Sequence, residues 1–318
     1  MRIDPHVHCR DGRQSYEETI KHVFEIAEKQ GVKKIFDMPN TNSPILYKSD
    51  IQKRLKLVPK NRKRDYYLYI SATANNKQLS EAVKCYDEYN EIIGIKLYAG
   101  KSVGNLAVIK IEEQKRVYKI LSDLEYKGVI AVHCEKENYL KPKLWNPLKP
   151  ITHSYARPKE AEIESIKDQI KFAKETNFNG ILHICHVSCP ESVELIHKAR
   201  REIKITCGVT PHHILWDNNM FKRSDGLLYK TNPPLRDKED VKKLKQYLKE
   251  GKIDWIESDH APHAIGEKLY PPYLSGYPSL YLYKYFVDKF LPILGIDKKS
   301  IKNLTFENIY KTFESKLK

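Results

Sequence analysis

Two histidines stand one residue apart near the start of the chain, in the segment Met1-Arg2-Ile3-Asp4-Pro5-His6-Val7-His8. Because side chains alternate between the two faces of a β-strand, a strand here would project His6 and His8 from the same face. Two imidazoles at this spacing can bind one metal ion, whereas a zinc ion takes about four ligands. The segment therefore predicts part of a metal site, and other segments must supply the remaining ligands.

Four further side chains that bind metals or move protons lie at or near the ends of other strand-like runs: Lys96, His133, His186 and Asp259. The carboxyl ends of parallel strands meet at one rim of an α/β barrel, where the active sites of such barrels lie. We therefore expect these side chains to meet His6 and His8. Imidazole and oxygen ligands suit zinc and tolerate manganese or cobalt. Asp259 would also act as a general base beside the metal, and its alternative role is a helix N-cap.

Lys96 is an unusual residue for an apolar strand such as Gly94-Ile95-Lys96-Leu97-Tyr98. One interpretation is that its ammonium group reaches the strand end or pairs with a buried carboxylate such as Asp259. The other is that burial and nearby cations lower its pKa and expose an amine that captures carbon dioxide. The resulting carbamate would spread one negative charge over two oxygens and could bridge two metal ions.

The elements that must position these side chains are short apolar runs, most of them followed by a polar segment with helical spacing. We predict strands at 2–8, 34–38, 66–71, 92–98, 129–133, 181–186, 203–207 and 253–258. Strands that alternate with helices predict an α/β fold with a parallel sheet, and eight such units predict a closed (β/α)8 TIM barrel. The alternative is an open doubly wound sheet, which the missing glycine-rich turn after the first strand disfavours.

Helical spacing predicts helices at 15–29, 78–89, 112–126, 159–176, 189–201, 238–250 and 306–317. Ser15 and Glu18 would form a capping box at the start of the first helix. If the predicted ligands face the barrel axis, period-two geometry turns their neighbours outward, towards the helices. Cys9, Cys134 and Cys185 would then be packing residues rather than ligands, and His183 would also face outward.

The length of 318 residues suits one barrel, so we predict a single catalytic domain over residues 1–318. The 56 basic and 41 acidic residues give a net charge of +15, but the basic residues are spread over several helical segments. No aromatic-basic motif accompanies them, which argues against nucleic-acid binding. Without a long apolar run or a leader, we expect a cytoplasmic protein that binds no membrane and has reduced cysteines.

Eight short motifs occur in an order that is known from one family. They are His6-Val7-His8-Cys9-Arg10-Asp11, Met38-Pro39-Asn40-Thr41-Asn42, Gly94-Ile95-Lys96-Leu97-Tyr98, His133-Cys134-Glu135, His186-Val187-Ser188, Thr210-Pro211-His212-His213, Asn232-Pro233-Pro234-Leu235-Arg236 and Ser258-Asp259-His260-Ala261-Pro262-His263. Together they resemble the dihydroorotases, metallo-dependent hydrolases of the amidohydrolase superfamily. A single H-x-H pair is a weak signal, whereas the ordered set is specific.

The resemblance implies a hydrolase acting on carbon–nitrogen bonds of cyclic amides, with two zinc ions per subunit. His6, His8 and Asp259 would hold one ion, and His133 and His186 would hold the other. Carboxylated Lys96 and a hydroxide would bridge the two ions, because the branch of the family with this lysine uses a carbamate.

The resemblance also implies a small anionic substrate. Arg10, Asn40 and His263 match the positions that bind the substrate carboxylate, and Asn232 matches another substrate contact. A guanidinium group can bind a carboxylate through two parallel hydrogen bonds, which suits that role for Arg10. The alternatives are a salt bridge from Arg10 to Asp11 or Asp37 and an ordinary turn role for Asn40.

The reaction implied by the family is the reversible cyclisation of N-carbamoyl-L-aspartate to L-dihydroorotate in pyrimidine (UMP) biosynthesis. In the hydrolytic direction the hydroxide attacks the ring carbonyl, and Asp259 carries the proton to the leaving nitrogen. A hydantoinase, dihydropyrimidinase or allantoinase would share the metal ligands but should lack the carboxylate-binding set. A non-catalytic partner of aspartate carbamoyltransferase should have lost metal ligands.

The chain also departs from the family pattern. Many members carry a small β domain built from both chain ends, whereas the first strand here begins at residue 2, which predicts the form without that domain. The segment 99–104 replaces a threonine-bearing loop that closes over the substrate in that form. The loop 141–157, with Trp145, His153 and Arg157, is either a substitute cover or a rigid connection. The resemblance leaves open a homodimer and a complex with aspartate carbamoyltransferase.

Overall fold

The computed structural model describes residues 1–102 and 106–317 and forms an α/β barrel. Its eight strands are parallel and follow the order of the sequence around the sheet. They are β1 (Ile3–Val7), β2 (Lys34–Asp37), β3 (Tyr66–Ser71), β4 (Ile92–Tyr98), β5 (Val129–His133), β6 (Ile181–Ile184), β7 (Ile205–Val209) and β8 (Trp255–Ile256). The prediction of a (β/α)8 barrel is confirmed.

The barrel is closed at the seam between β8 and β1 by a short contact. The backbone N–H of His8 donates to the carbonyl of His260 at 2.8 Å. A side chain completes the seam, because Asp4 Oδ1 accepts the backbone N–H of Ser258 at 3.0 Å. Both contacts lie next to the segments that carry His6 and Asp259, so the closure of the barrel fixes the distance between these two side chains.

Helices follow most of the strands. The longer ones are Ile20–Lys29, Lys48–Leu57, Asn76–Glu88, Ile111–Asp123, Lys159–Glu175, Pro190–Ala199 and Lys238–Lys249. Shorter helical segments fill the long connections and the C-terminal region, at Lys60–Arg62, Glu137–Tyr139, Pro142–Leu144, Thr152–Ala156, Pro211–Leu215, Asn218–Lys222, Gly226–Tyr229, Ile265–Leu269 and Glu314–Leu317, and as consecutive helical turns over 279–293 and 298–312. None of the helices within the described ranges is long and apolar enough to cross a membrane.

The first helix begins later than the sequence predicted. Thr19 is its N-cap and accepts the backbone N–H of His22, so the predicted capping box of Ser15 and Glu18 is wrong. The residues before it form a turn, in which an Asp11 carboxylate oxygen accepts the N–H of Ile20 at 2.8 Å. Glu18 is used elsewhere, because its carboxylate contacts the His260 ring at 3.2 Å.

Two apolar clusters pack against the sheet, one on its outer face and one on its inner face. The larger one joins the outer face of the strands to the helices and contains Cys9 and Cys134, as predicted. The other lies inside the barrel and contains Phe36, Trp255 and Cys185. The predicted outward direction of Cys185 is therefore wrong. His183 also points inward, because its ring stacks on Trp255 with centroids 4.3 Å apart.

The backbone at His186 explains this error. Its φ of 38° lies in the left-handed region, where residues other than glycine are rarely found. The strand alternation places His183 and Cys185 on the inner face, and the turn at His186 then directs its ring to the same side. A strict period of two allows only one of Cys185 and His186 to face the barrel axis.

A buried ion pair supports the segment that follows β1. Arg54 lies 2.6 Å from an Asp37 carboxylate oxygen, and the same oxygen accepts the Tyr66 hydroxyl at 2.6 Å. The other Asp37 oxygen accepts the Cys9 N–H at 2.9 Å, and Arg54 also donates to the carbonyl of Arg10. The pair therefore holds the backbone beside the candidate site.

We expect Arg54→Met to lower the free energy of unfolding by about 3–5 kcal/mol, because it leaves the Asp37 charge buried without its partner. Chemical denaturation of the wild type and the variant measures the difference. Arg62→Met is the matched control, since Arg62 pairs with Glu28 at the surface, where such pairs contribute about 0–1 kcal/mol. Equal losses in the two variants would contradict the role assigned to the buried pair.

Candidate metal centre

The six predicted metal ligands meet in one pocket at the carboxyl ends of the strands. The pocket is lined by His6, His8, Arg10, Asn40, Lys96, Tyr98, Ser102, His133, His186, Asn232, Asp259, Ala261, Ser275 and Gly276. Five strands and the turns after them contribute the six ligands, which are separated by up to 253 positions in the chain. All six are buried, so the site is a pocket in the interior rather than a surface cluster.

His6, His8 and Asp259 form the first group of ligands. The Nε2 atoms of His6 and His8 lie 3.3 Å and 3.0 Å from Asp259 Oδ1. One ligand atom from each residue lies within 4.8 Å of the other two, which is close enough for one cation to contact all three. Asp259 has a φ of 48°, and such backbone strain is typical of functional sites.

His133 and His186 form the second group. The Nδ1 atom of His133 lies 3.2 Å from Nε2 of His186, and the ring centroids are 5.0 Å apart. The His186 ring is also 5.3 Å from that of His6, so the two groups adjoin each other. Two imidazole nitrogens that face each other in this way fit a shared cation between them.

The electrostatics of the pocket also favour a cation. Burial and Lys96 lower the pKa of His6, but Asp259 and the Cys185 thiol raise it to about 10. Burial raises the pKa of the Asp259 carboxyl, but His6 and His8 hold it well below its usual range. Positive charge is thus stabilised at His6, and a carboxylate is stabilised beside it. The residues present therefore fit a metal ion.

Lys96 is fully buried and lines the pocket. Within the described part of the chain its amine donates a hydrogen bond to Cys185 Sγ at 3.0 Å and forms no ion pair with Asp259. The predicted pairing of Lys96 with Asp259 is therefore not found. The amine instead lies in the pocket that the four histidine ligands also line.

Arg10 and His263 come together at the rim, as the sequence predicted for carboxylate-binding residues. A terminal nitrogen of Arg10 lies 3.2 Å from His263 Nε2, and Arg10 Nε donates to the Pro262 carbonyl at 3.1 Å. Arg10 Nε also lies 3.5 Å from a Glu17 carboxylate oxygen. The alternative pairing of Arg10 with Asp11 or Asp37 is thus not observed, and His263 lies behind Arg10 rather than in the pocket wall.

The two predicted amide side chains take different places. Asn40 Oδ1 lies 2.7 Å from His8 Nδ1, so Asn40 orients a predicted metal ligand as well as lining the pocket. Asn232 also lines the pocket, and its buried Oδ1 has no hydrogen-bond partner among residues 1–102 and 106–317. The turn role of Asn40 does not account for its contact with His8.

Two buried glutamates that contact the ligands were missed in the sequence. Glu257 Oε1 lies 3.5 Å from His6 Nδ1 and accepts the backbone N–H of His186. Glu135 Oε2 lies 3.1 Å from His133 Nε2. Carboxylates behind histidine ligands set the orientation of the rings. The available signal was the spacing, since each glutamate stands two positions from a predicted ligand on a strand that ends at the rim.

The loop 141–157 supports the site from outside. His153 Nε2 lies 2.8 Å from the Thr231 carbonyl, and Ser154 donates to the Leu235 carbonyl at 3.0 Å, so the loop braces the segment that carries Asn232. Arg157 binds the Glu135 carboxylate, with its Nε at 3.0 Å. None of the loop residues lines the described pocket, which favours the rigid connection of the two predicted alternatives. Val103 and Gly104, in the segment expected to differ from the family loop, lie outside the described residues.

Comparison with known proteins identifies relatives along most of the chain. No protein-family profile matches it. A dihydroorotase from Methanosphaera stadtmanae is 32% identical over 276 residues, which is 84% of this chain and 59% of that protein. A dihydroorotase from Pyrococcus horikoshii is 34% identical over 266 residues, which is 84% of this chain and 55% of that protein.

The chain is a homologue of the dihydroorotases. It spans less than two thirds of the length of these relatives, with 59% and 55% of the two proteins covered. The resemblance to the dihydroorotases that the eight motifs indicated is thus confirmed by homology.

Solved structures of similar fold include hydantoinases. An L-hydantoinase (dihydropyrimidinase) from Arthrobacter aurescens has a TM-score of 0.84 and 22% identity, with 98% of this chain and 70% of that chain covered. A D-hydantoinase (dihydropyrimidinase) from Thermus sp. has a TM-score of 0.83 and 21% identity over the same shares. At these identities the likeness establishes the shared barrel fold.

Proposed function

We propose that residues 1–318 act as a single catalytic domain, a metal-dependent dihydroorotase that interconverts N-carbamoyl-L-aspartate and L-dihydroorotate. The observation that carries this proposal is the meeting of two histidine groups, Lys96 and Asp259 in the pocket beside Arg10. The dihydroorotase relatives support the same reaction class. The Arg10–His263 contact favours a substrate with a carboxylate over the neutral rings of hydantoinase substrates.

For the cofactor we propose two zinc ions per chain. His6, His8 and Asp259 would hold one, His133 and His186 would hold the other, and carboxylated Lys96 would be shared between them. When bound, such ions polarise a carbonyl group and lower the pKa of water to about 7.

The residues of the chain bind the substrate and move the proton. Arg10 would bind the substrate carboxylate, and His263 would hold the guanidinium group in place. Asn232 has an unpartnered amide oxygen within the described structure and would accept a hydrogen bond from a ring N–H. Asp259, which is ionised because its pKa is held low, would take a proton from the attacking water and deliver it to the leaving nitrogen.

The test is an assay of the zinc-loaded protein with dihydroorotate, N-carbamoyl-L-aspartate, hydantoin and dihydrouracil. We expect turnover of the first two compounds and its loss when a chelator removes the metal. Turnover of hydantoin or dihydrouracil with none of dihydroorotate would instead identify another cyclic amidohydrolase. A zinc-replete protein that acts on none of the four would contradict the proposal.

For Arg10→Met we expect the KM for dihydroorotate to rise roughly 10- to 100-fold, because hydrogen bonds to a charged group contribute about 1.5–3 kcal/mol. The zinc content should stay that of the wild type. Steady-state kinetics and metal analysis measure both quantities. Arg13→Met is the matched control, since Arg13 is exposed three positions away. Loss of zinc from Arg10→Met would show a structural role instead of substrate binding.

A further inference from the structure

Two buried lysines stand behind one wall of the pocket. Lys230 is 8% exposed and Lys268, in the helical turn Ile265–Leu269, is 4% exposed. The Lys230 ammonium donates to the Tyr273 carbonyl at 2.7 Å and to Ser275 Oγ at 2.9 Å. Lys268 donates to the carbonyl of Lys230 at 3.1 Å and to that of Gly276. The two side chains thus converge on the segment 273–276.

Neither lysine has a carboxylate partner among residues 1–102 and 106–317, although ion pairs are common elsewhere on this chain. A buried ammonium group without an anion is costly. Burial, and then the charge of Arg157, lowers the pKa of Lys230 to about 8. Burial, and then the charge of Lys230, lowers the pKa of Lys268 to about 7. The Trp145 ring, 5.0 Å from the Lys230 ammonium, offsets only part of this cost.

The positive charge of the two lysines lies directly behind residues that line the pocket. Ser275 and Gly276, which accept hydrogen bonds from the two lysines, both line the pocket. The carbonyl of Ser275 also lies 3.1 Å from His263 Nε2, next to Arg10. The lysine pair and Arg10 therefore flank the same part of the pocket, and an anion there would supply the missing negative charge.

We propose that Lys230 and Lys268 form a preorganised countercharge for the anionic substrate and that Lys230 is a specificity-determining residue. This inference rests on the proposed function. Because a Coulombic interaction scales with the charge of the ligand, the pair should favour a dianion over a monoanion and a monoanion over a neutral ring. N-carbamoyl-L-aspartate, dihydroorotate and dihydrouracil carry two, one and no carboxylates, respectively, and form the required series.

A purely structural role makes a different prediction. If the lysines only held the segment 273–276 in position, their loss would displace Ser275 and Gly276. The binding of all three compounds would then weaken to the same degree. The dependence on ligand charge thus separates the two roles.

The experiment measures KM for compounds that are turned over, and the competitive inhibition constant for those that are not, in the zinc-loaded protein at pH 7. For Lys230→Met we expect these constants to rise, because binding weakens. The expected rise is roughly 100-fold for N-carbamoyl-L-aspartate, roughly 10-fold for dihydroorotate and less than about 2-fold for dihydrouracil. Lys230→Arg keeps the charge and should restore the wild-type order. Ser275→Ala removes one hydrogen bond but keeps the charge, so its effects should not follow ligand charge.

Lys268→Met leaves the two hydrogen bonds of Lys230 in place and serves as the second variant if Lys230→Met does not fold. In this variant the loss of binding should again be largest for N-carbamoyl-L-aspartate and smallest for dihydrouracil, but each loss should be smaller than in Lys230→Met. Equal weakening of all three compounds in the folded variant would overturn the inference. A wild-type protein that turns over neither anionic compound would instead overturn the proposed function, so the two failures are distinguishable.

Discussion

Replacing Lys96 with alanine is expected to lower turnover of dihydroorotate by roughly 10³-fold or more and to reduce the zinc content below that of the wild type. The side chain is fully buried in the pocket that both histidine groups line, so its removal takes away the only proposed ligand shared by both ions. Metal ions contribute several kcal/mol of charge stabilisation in such reactions, which corresponds to this loss of rate. Steady-state kinetics and metal analysis of the same preparation measure the two effects.

Chemical rescue separates loss of the carbamate from general damage. The Lys96→Ala variant leaves space that a short carboxylate such as propionate can enter, and its two oxygens can replace those of the carbamate. We expect propionate to restore part of the activity and of the zinc content. Lys110→Ala, at an exposed lysine, is the matched control and should match the wild type with and without propionate. Full activity of Lys96→Ala without a carboxylate would refute the carbamate.

The sequence predicted the architecture because most strands are continuous apolar runs. Tyr66–Ser71 and Ile92–Tyr98 have the predicted bounds, since every residue in them is buried on one face of the sheet or the other. The last strand was predicted too long, at 253–258, and spans only Trp255–Ile256. There the backbone leaves the ladder, and the Asp4 carboxylate accepts the N–H of Ser258 in place of a strand partner.

The sequence did not predict the helix Lys48–Leu57, because its apolar periodicity is weak. Its inner face contains a charged residue, Arg54, which is buried because it pairs with Asp37 on a neighbouring strand. A helix that buries an arginine shows a weak apolar period, and only the fold reveals the partner that compensates the charge.

The candidate site was predictable where it follows strand ends and was not predictable where it depends on backbone turns or distant partners. His6, His8 and His133 could be placed from the strand pattern alone. The inward direction of both Cys185 and His186 could not, because the left-handed turn at His186 breaks the strand alternation. Lys230 resembles any other basic residue in the sequence, and only the structure shows that it is buried without a carboxylate partner within the described residues.

We expect Asp259→Asn to lower kcat roughly 10²- to 10⁴-fold in both directions, the range that general acid–base catalysis contributes. The side-chain amide has almost the same shape but cannot accept the proton, and its oxygen is a weaker ligand than a carboxylate. The pKa of Asp259 is held well below its usual range, so the wild-type carboxyl is ionised at neutral pH. Assays of dihydroorotate hydrolysis and of N-carbamoyl-L-aspartate cyclisation measure the loss.

Metal analysis decides which property of Asp259 is responsible. If the variant keeps its zinc and loses kcat with little change in KM, the carboxylate acts as the proton carrier. If zinc is lost as well, excess zinc should restore the metal content without restoring kcat, because the amide still cannot accept a proton. Asp123→Asn, at an exposed aspartate, is the matched control. A zinc-replete Asp259→Asn protein with kcat within about 10-fold of the wild type would show that another group carries the proton.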